Sequence, residues 1–139
     1  MIGSREFPRL TATNYRVTSP ATSDYNCIAW AAEDEHHWWQ PGVFWPLAGS
    51  SADFGIEVLV EAFRSLGFEP CANAEFELGV EKIAIYGSSL FYTHAARQLP
   101  GGTWTSKLGR DVDIEHDMPT DVAGGLYGEV VRFMSRPAR

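Results

Sequence analysis

A cysteine at the start of a predicted helix is the first residue in this sequence that could do chemistry. Cys27 follows Asn26 and opens the Ala-rich stretch 27–35. Alanine is the strongest helix former, and Asn26 or Asp24 can cap the first turn. Amide N–H groups and the dipole at a helix start stabilise a thiolate, which makes Cys27 a candidate nucleophile. The other explanation of this cysteine is a small, buried apolar residue.

A cysteine nucleophile needs a histidine within hydrogen-bond distance, and His94 is the candidate. His94 lies in the predicted strand 92–99, where alternation places one set of side chains on a single face: Tyr92, His94, Ala96 and Gln98. That face is otherwise small or polar. It could therefore border a cleft in which His94 acts as general base and then as general acid.

A third group should orient the imidazole. The stretch 113–116 supplies His116, which we prefer, and Asp113 as the second choice, although an exposed acidic loop explains both residues equally well. Strand parity across the preceding turn directs Thr105 or Lys107 toward His94, and lysine is a poor orienting group because it only donates hydrogen bonds.

An aromatic loop, residues 36–46, is the second feature that could act on a ligand. It contains Trp38, Trp39 and Trp45, whose rings could stack on a sugar or line a peptide groove. The competing explanation is a loop that folds its indoles into the core. Asn26 could also bind a substrate, because its side chain could hold an oxyanion beside the backbone N–H of Cys27.

Zinc is a third hypothesis, and it rests on ligand types alone. The permissible ligands are Cys27, His36, His37, Cys71, His94 and His116. None of them shows the paired spacing of a zinc motif. We therefore expect no metal. We expect no other cofactor either, since the sequence has no glycine-rich phosphate-binding motif.

The elements that must position these residues are helices first and strands afterwards. A second helix is indicated by the apolar stripe Ile56, Leu59, Val60, Phe63 and Leu66, with Ser51 as its cap and Gly67 after its end. Strands are predicted over 82–86, 92–99, 103–108 and 127–134. We expect an α+β domain over residues 1–139, with the N-terminal helices on one face of a C-terminal antiparallel sheet. Residues 1–25 form an irregular arm or a short edge strand.

Composition limits the partners. The 139 residues carry 11 Lys and Arg against 18 Asp and Glu, a net charge of −7. This balance argues against nucleic acid and against an anionic membrane surface as partners. Two cysteines and no apolar leader segment predict a cytoplasmic protein without a disulfide framework.

The order of these elements resembles that of the NlpC-type cysteine peptidases of the papain-like clan. A cysteine at a helix start, a strand over 82–86 and His94 at the opening of the next strand follow that layout from Asn26 to Leu108. The chain departs from it in having Asn26-Cys27-Ile28-Ala29 where those enzymes have Asp-Cys-Ser-Gly. The resemblance implies a papain-like fold and hydrolysis of an amide or a thioester by Cys27 and His94.

Other sequence blocks are similar to an uncharacterised family of small bacterial domains: 25–31, 93–98, 104–109 and 113–116. This second resemblance spans nearly the whole chain and implies no activity. The leading prediction is therefore a small cysteine hydrolase of the amidase or peptidase type. The alternative is a non-enzymatic protein-interaction module, of the immunity or adaptor type, that presents the aromatic loop to a protein partner.

Overall fold

The structure is a computed structural model that describes residues 5–41, 43–47, 54–108 and 112–138. In chain order its elements are β1 (Tyr15–Ser19), α1 (Cys27–Ala31), α2 (Ile56–Arg64), β2 (Glu69–Cys71), β3 (Val80–Gly87), β4 (Tyr92–Gln98), β5 (Trp104–Lys107), β6 (Asp113–His116), a 3₁₀ turn (Pro119–Val122) and β7 (Glu129–Pro137).

A seven-stranded sheet dominates the described part of the molecule. Its strand order is β1-β6-β5-β4-β3-β7-β2, and every neighbouring pair is antiparallel. The long strands β3, β4 and β7 lie side by side, and the short strands β1 and β2 form the two edges. A predominantly antiparallel sheet with two α-helices is in keeping with the predicted α+β class.

Helix α1 begins where the sequence predicts and ends early. Asn26 is the N-cap, and its side chain accepts a hydrogen bond from the N–H of Ala29. The helix was predicted to continue to residue 35 but ends at Ala31, with Ala32 as its C-cap. Glu33 adopts φ 64°, a left-handed conformation that an α-helix cannot include.

Helix α2 follows the predicted apolar stripe. Four stripe residues are buried, and Leu66 is partly buried just beyond the helix end. The predicted cap Ser51 lies outside the described residues, and the helix begins at Ile56 with Gly55 as its N-cap. Gly67 has φ +96° and reverses the chain toward β2, as expected of a glycine that follows a helix.

The sheet carries one apolar cluster on each face, because successive side chains of a strand point to opposite sides. Ile83 and Ile85 of β3 pack in a cluster that contains the buried residues of both helices. Ala84 and Tyr86 pack in a second cluster with Phe7, Leu10 and Val122 from the N-terminal arm and the 3₁₀ turn. We call these the helix-side and arm-side clusters.

The four predicted strands are present, with bounds that differ by a few residues. Strand β1 agrees with the short edge strand that was one alternative for residues 1–25. Two further strands were not assigned from the sequence: β2 covers three residues around Pro70, and β6 covers the stretch 113–116. The loop explanation of 113–116 is wrong, since Asp113 and His116 are both fully buried. None of the described helices has the length or the apolar run needed to cross a bilayer.

Candidate functional site

Cys27 is a buried member of the helix-side cluster. Its side chain is 8% exposed, and burial raises the pKa of the thiol to about 11. A hydrogen bond from the backbone of Ala95 and the charge of Lys107 lower this pKa, but they do not cancel the effect of burial. Helix α1 has only five residues, so little dipole is available to stabilise a thiolate. Cys27 therefore has the environment of an unreactive thiol.

His94 lies on the arm side of the sheet. Its ring stacks on Tyr127 at a centroid distance of 4.0 Å and meets Tyr86 edge-on at 5.0 Å. Both tyrosines belong to the arm-side cluster. Burial, and secondarily the neighbouring His116, hold the pKa of His94 well below 6.5. His94 is thus a neutral imidazole with no exposed surface.

A bulge in β4 corrects the predicted alternation. Tyr86 pairs with His94, but the next residue, Gly87, pairs with Tyr92, so Thr93 is the extra residue. Tyr92 consequently lies in the helix-side cluster although it is two residues from His94. Gly87 allows this geometry, because a Cβ at that position would lie 2.4 Å from the carbonyl oxygen of Phe91.

The structure does not bring Cys27 and His94 together. The thiol packs with the helices on one face, and the imidazole packs with Tyr86 and Tyr127 on the other. The sheet lies between them. The predicted nucleophile–base contact is therefore not formed.

His94 is instead joined to His116 through Ser106. The Oγ atom of Ser106 lies 3.0 Å from Nε2 of His94 and 2.8 Å from Nε2 of His116. The prediction that Thr105 or Lys107 faces His94 is wrong, since Gln98 pairs with Trp104 and this register turns Ser106 to the arm side. The preferred partner His116 does approach His94, but only through the serine.

The carbonyl oxygen of Met118 determines which nitrogen atoms carry the protons in the hydrogen-bonded series His94–Ser106–His116. Nδ1 of His116 lies 2.8 Å from the carbonyl oxygen of Met118 and must donate to it. Nε2 of the neutral ring is then an acceptor, so the Ser106 hydroxyl donates to it and accepts from Nε2–H of His94. Nδ1 of His94 is left as a buried acceptor without a donor among the described residues.

Asp113 lies on the face of Cys27, not on that of His94. Its Oδ2 accepts a hydrogen bond of 2.7 Å from the hydroxyl of Tyr25. Its Oδ1 lies 4.0 Å from Nζ of Lys107, and both side chains are completely buried. Lys107 also lies 5.1 Å from the centre of the Tyr25 ring. These polar side chains form a buried network beside the cysteine, and Asp113 cannot orient His94.

The predicted binding residues of the aromatic loop mostly pack against the core. Trp39 is 5% exposed in the helix-side cluster, and Trp45 packs against it, whereas Trp38 is half-buried and donates to Gln40. Asn26 holds the loop: its Oδ1 accepts from the N–H of Trp39 and its Nδ2 donates to the Trp39 carbonyl. Asn26 is a cap and a loop anchor in this geometry.

The zinc candidates do not converge. No group of three or more His, Cys, Asp or Glu side chains among the described residues could hold a metal ion. His37 is occupied by Asp34 at 2.8 Å and by the ring of Phe44 stacked at 4.0 Å.

A cavity at one end of the sheet is the feature that sequence reasoning missed. It has a volume of about 300 Å³ and lies where β3 begins and where β4 and β7 end. Its apolar wall consists of Phe68, Phe76, Leu78, Val80, Leu99 and Pro100. Arg97 and Gln98 of β4 add polar groups. No motif marks these residues, which come from three separate connections of the chain, so their approach depends on the fold.

The sequence matches the family model of a domain of unknown function, DUF7689, over residues 16–135. No curated protein and no solved structure matches the chain.

Proposed function

Because the chain belongs to the DUF7689 family, whose description carries no activity, we propose a function from its own geometry: a non-enzymatic protein-interaction module that binds an apolar segment of a partner protein in the sheet-end cavity. The observation that carries this proposal is Leu78. Its side chain is 92% exposed at the wall of a concave, largely apolar site.

Exposed apolar surface beside a cavity favours binding. Phe76, on the same β2–β3 connection, is 45% exposed and packs over the β4–β5 turn, where a Cβ at Gly102 would lie 3.7 Å from its side chain. Phe68 also lines the site and is buried. A cavity with apolar walls and an apolar rim is the usual form of a recognition site. Covering Leu78 and Phe76 would remove apolar surface from water, which stabilises a complex.

The cysteine-hydrolase prediction, with its papain-like arrangement, has less support. A catalytic cysteine requires an accessible thiolate and a base within reach. Cys27 is buried with a pKa of about 11, and His94 lies across the sheet. The cavity also supports binding better than the aromatic loop does, since Trp39 and Trp45 pack with the core.

Selection of peptides tests the proposal. Short random peptides displayed on phage are selected against the wild-type protein, and the enriched peptides are measured by fluorescence anisotropy. Replacement Leu78→Ser removes apolar contact without disturbing the core, so we expect it to weaken binding about tenfold. Leu90→Ser is the matched control: Leu90 is 68% exposed in the turn at the opposite end of β3, and its loss should leave affinity unchanged.

Cys27→Ala separates the two functions. Binding that is unchanged in Cys27→Ala and reduced in Leu78→Ser supports the module. Enriched peptides that bind Leu78→Ser as well as wild type, or cleavage of peptides that disappears in Cys27→Ala, would contradict it.

A further inference from the structure

The charges that line the cavity are paired, with one exception. Nζ of Lys82 lies 2.7 Å from a carboxylate oxygen of Glu77. Glu81 and Glu33 both contact Arg136, at 2.7 and 3.4 Å. Three of the four charged lining residues are thus neutralised by a neighbour.

Arg97 is the exception. Its Nε donates to the carbonyl oxygen of Trp30 at 3.4 Å, and its guanidinium lies 5.1 Å from the centre of the Trp30 ring. No carboxylate of a described residue comes within 4.0 Å of it, and its two terminal nitrogens have no acceptor in the described part of the chain.

The Arg97 guanidinium is also partly removed from water. Burial lowers the pKa of Arg97, while the more distant carboxylates, Glu33 first and then Glu81, raise it. An arginine keeps its charge in proteins. A desolvated cation without a counterion is costly, so an anion beside it would gain more than it would at an exposed arginine.

We infer that the cavity receives the C-terminal carboxylate of the partner chain, with Arg97 holding the carboxylate and the apolar wall holding the last side chain. This inference rests on the proposed function and specifies which part of the partner binds. The planar guanidinium matches a carboxylate through two parallel N–H···O bonds, which a lysine could not provide.

The size of the cavity favours a chain end. A volume of about 300 Å³ is at the lower limit for ligand sites. It suits one or two residues better than a strand that passes through. The walls formed by Phe68, Phe76 and Leu78 call for an apolar side chain beside the carboxylate.

Matched peptides test the inference directly. The probes are N-acetyl-Gly-Ser-Gly-Leu-Leu with a free carboxylate, the same peptide as its C-terminal amide, and N-acetyl-Gly-Ser-Gly-Ser-Ser with a free carboxylate. Each is titrated into ¹⁵N-labelled wild-type protein, and the Nε–H signal of Arg97 is followed by NMR. We expect the apolar carboxylate to bind about tenfold more tightly than either of the others and to shift the Arg97 signal.

Substitutions of Arg97 test whether this side chain recognises the carboxylate. Arg97→Gln should reduce the affinity for the carboxylate peptide to that for the amide. Arg97→Lys should retain only part of the difference in affinity between the two peptides. Arg132→Gln is the matched control, because Arg132 is an exposed β7 arginine paired with Glu57 away from the cavity. Titration with 4-methylpentanoate tests whether a small free acid binds as well as the peptide. Weaker binding of the acid supports the C-terminus of a protein as the ligand, and equal binding overturns that assignment.

The outcomes distinguish the two proposals. Equal binding of carboxylate and amide on the wild type, with both weakened by Leu78→Ser, overturns the inference and leaves the interaction module standing. Discrimination that persists in Arg97→Gln overturns the role of Arg97. Absence of binding by all the probes overturns the inference, while independence of the selected peptides from Leu78 overturns the proposed function itself.

Discussion

The two buried histidines make the protein sensitive to acid. Burial keeps the pKa of His94 well below 6.5 and also lowers that of His116. A second proton on His116 would have to sit on Nε2, which already accepts from Ser106, and a second proton on His94 would sit on Nδ1, which is buried without a partner among the described residues. The folded protein therefore excludes protons that the unfolded chain accepts.

We predict that the free energy of unfolding falls as pH drops below about 6.5. Below that pH, and down to the lowered pKa values of the folded state, the unfolded chain binds more protons at these two histidines than the folded chain does, which favours unfolding. Each histidine can lower the free energy of unfolding by at most about 1.4 kcal/mol per pH unit. We therefore expect the free energy of unfolding to fall by about 2 kcal/mol between pH values of about 7.5 and 5.5. Urea denaturation across this range measures it.

His94→Phe should remove about half of this pH dependence, because Phe can still stack on Tyr127 but cannot titrate. His36→Gln replaces an exposed histidine and should leave the dependence unchanged. A His94→Phe variant with the wild-type pH profile would show that His94 does not contribute.

The thiol of Cys27 should be protected from alkylation. A pKa of about 11 rather than 9 lowers the thiolate fraction near neutral pH about a hundredfold, and burial reduces access further. We predict that iodoacetamide labels Cys27 at least about a hundredfold more slowly in the native protein than in denaturant, measured by mass spectrometry in a Cys71→Ser background. Native labelling faster than denatured labelling would contradict this and would favour an activated cysteine.

At the scale of elements, Asn26 joins the first helix to the aromatic loop. Its side chain accepts from Ala29 and Trp39 and donates to the Trp39 carbonyl, all in a buried setting. We predict that Asn26→Ala destabilises the protein by about 2 kcal/mol, since a cap is worth about 1 and two buried loop groups lose their partner. Urea denaturation at neutral pH gives the value.

Two variants control this prediction. Asn26→Ser keeps an acceptor for the N–H of Ala29 and loses the hydrogen bonds to Trp39, so its effect should be smaller than that of Asn26→Ala. Asp24→Ala changes the other cap considered from the sequence, which is exposed, and should stay within about 0.5 kcal/mol of wild type. Equal effects of Asn26→Ala and Asp24→Ala would contradict the capping role.

Periodicity identified the elements with strong local patterns. The stripe of α2 and the apolar runs of β3 and β7 are visible in the sequence because propensity and burial agree there. Strand β6 was missed because Asp113, Glu115 and His116 read as solvated loop residues. Asp113 and Glu115 are tolerated in a strand because Tyr25 and Arg16, far away in sequence, provide partners, and His116 bonds to the nearby Met118 carbonyl.

The candidate site was less predictable than the fold. Alternation from His94 to Gln98 is regular, but the bulge at Thr93 and the register of Gln98 with Trp104 decide which neighbours His94 meets. Neither leaves a local signal in the sequence. Arg97 likewise reads as an ordinary strand arginine, because only the fold places it over the Trp30 ring and beside the residues of the β2–β3 connection that line the cavity.

At the scale of the whole molecule, one sheet connects two apolar clusters. Ile85 is fully buried on the helix side, and its strand neighbour Tyr86 is fully buried on the arm side. Neither cluster has a backbone of its own, so we expect them to unfold together.

We predict that Ile85→Ala lowers the free energy of unfolding by about 2–5 kcal/mol and leaves a single transition. Tryptophan fluorescence and far-UV circular dichroism should give the same midpoint in urea. Ile114→Ala, on the arm side, should behave alike. Two separated transitions in either variant would show that the clusters are independent.

The borders of the sheet bear on how copies of this chain meet at high concentration. Strand β2 is three residues long with Pro70 at its centre, and proline offers no N–H to an incoming strand. Strand β1 has an irregular register between Val17 and Ser19, which twists the opposite border. Both borders thus resist the edge-to-edge stacking that starts fibrils, and a Pro70→Val replacement would create a template for it.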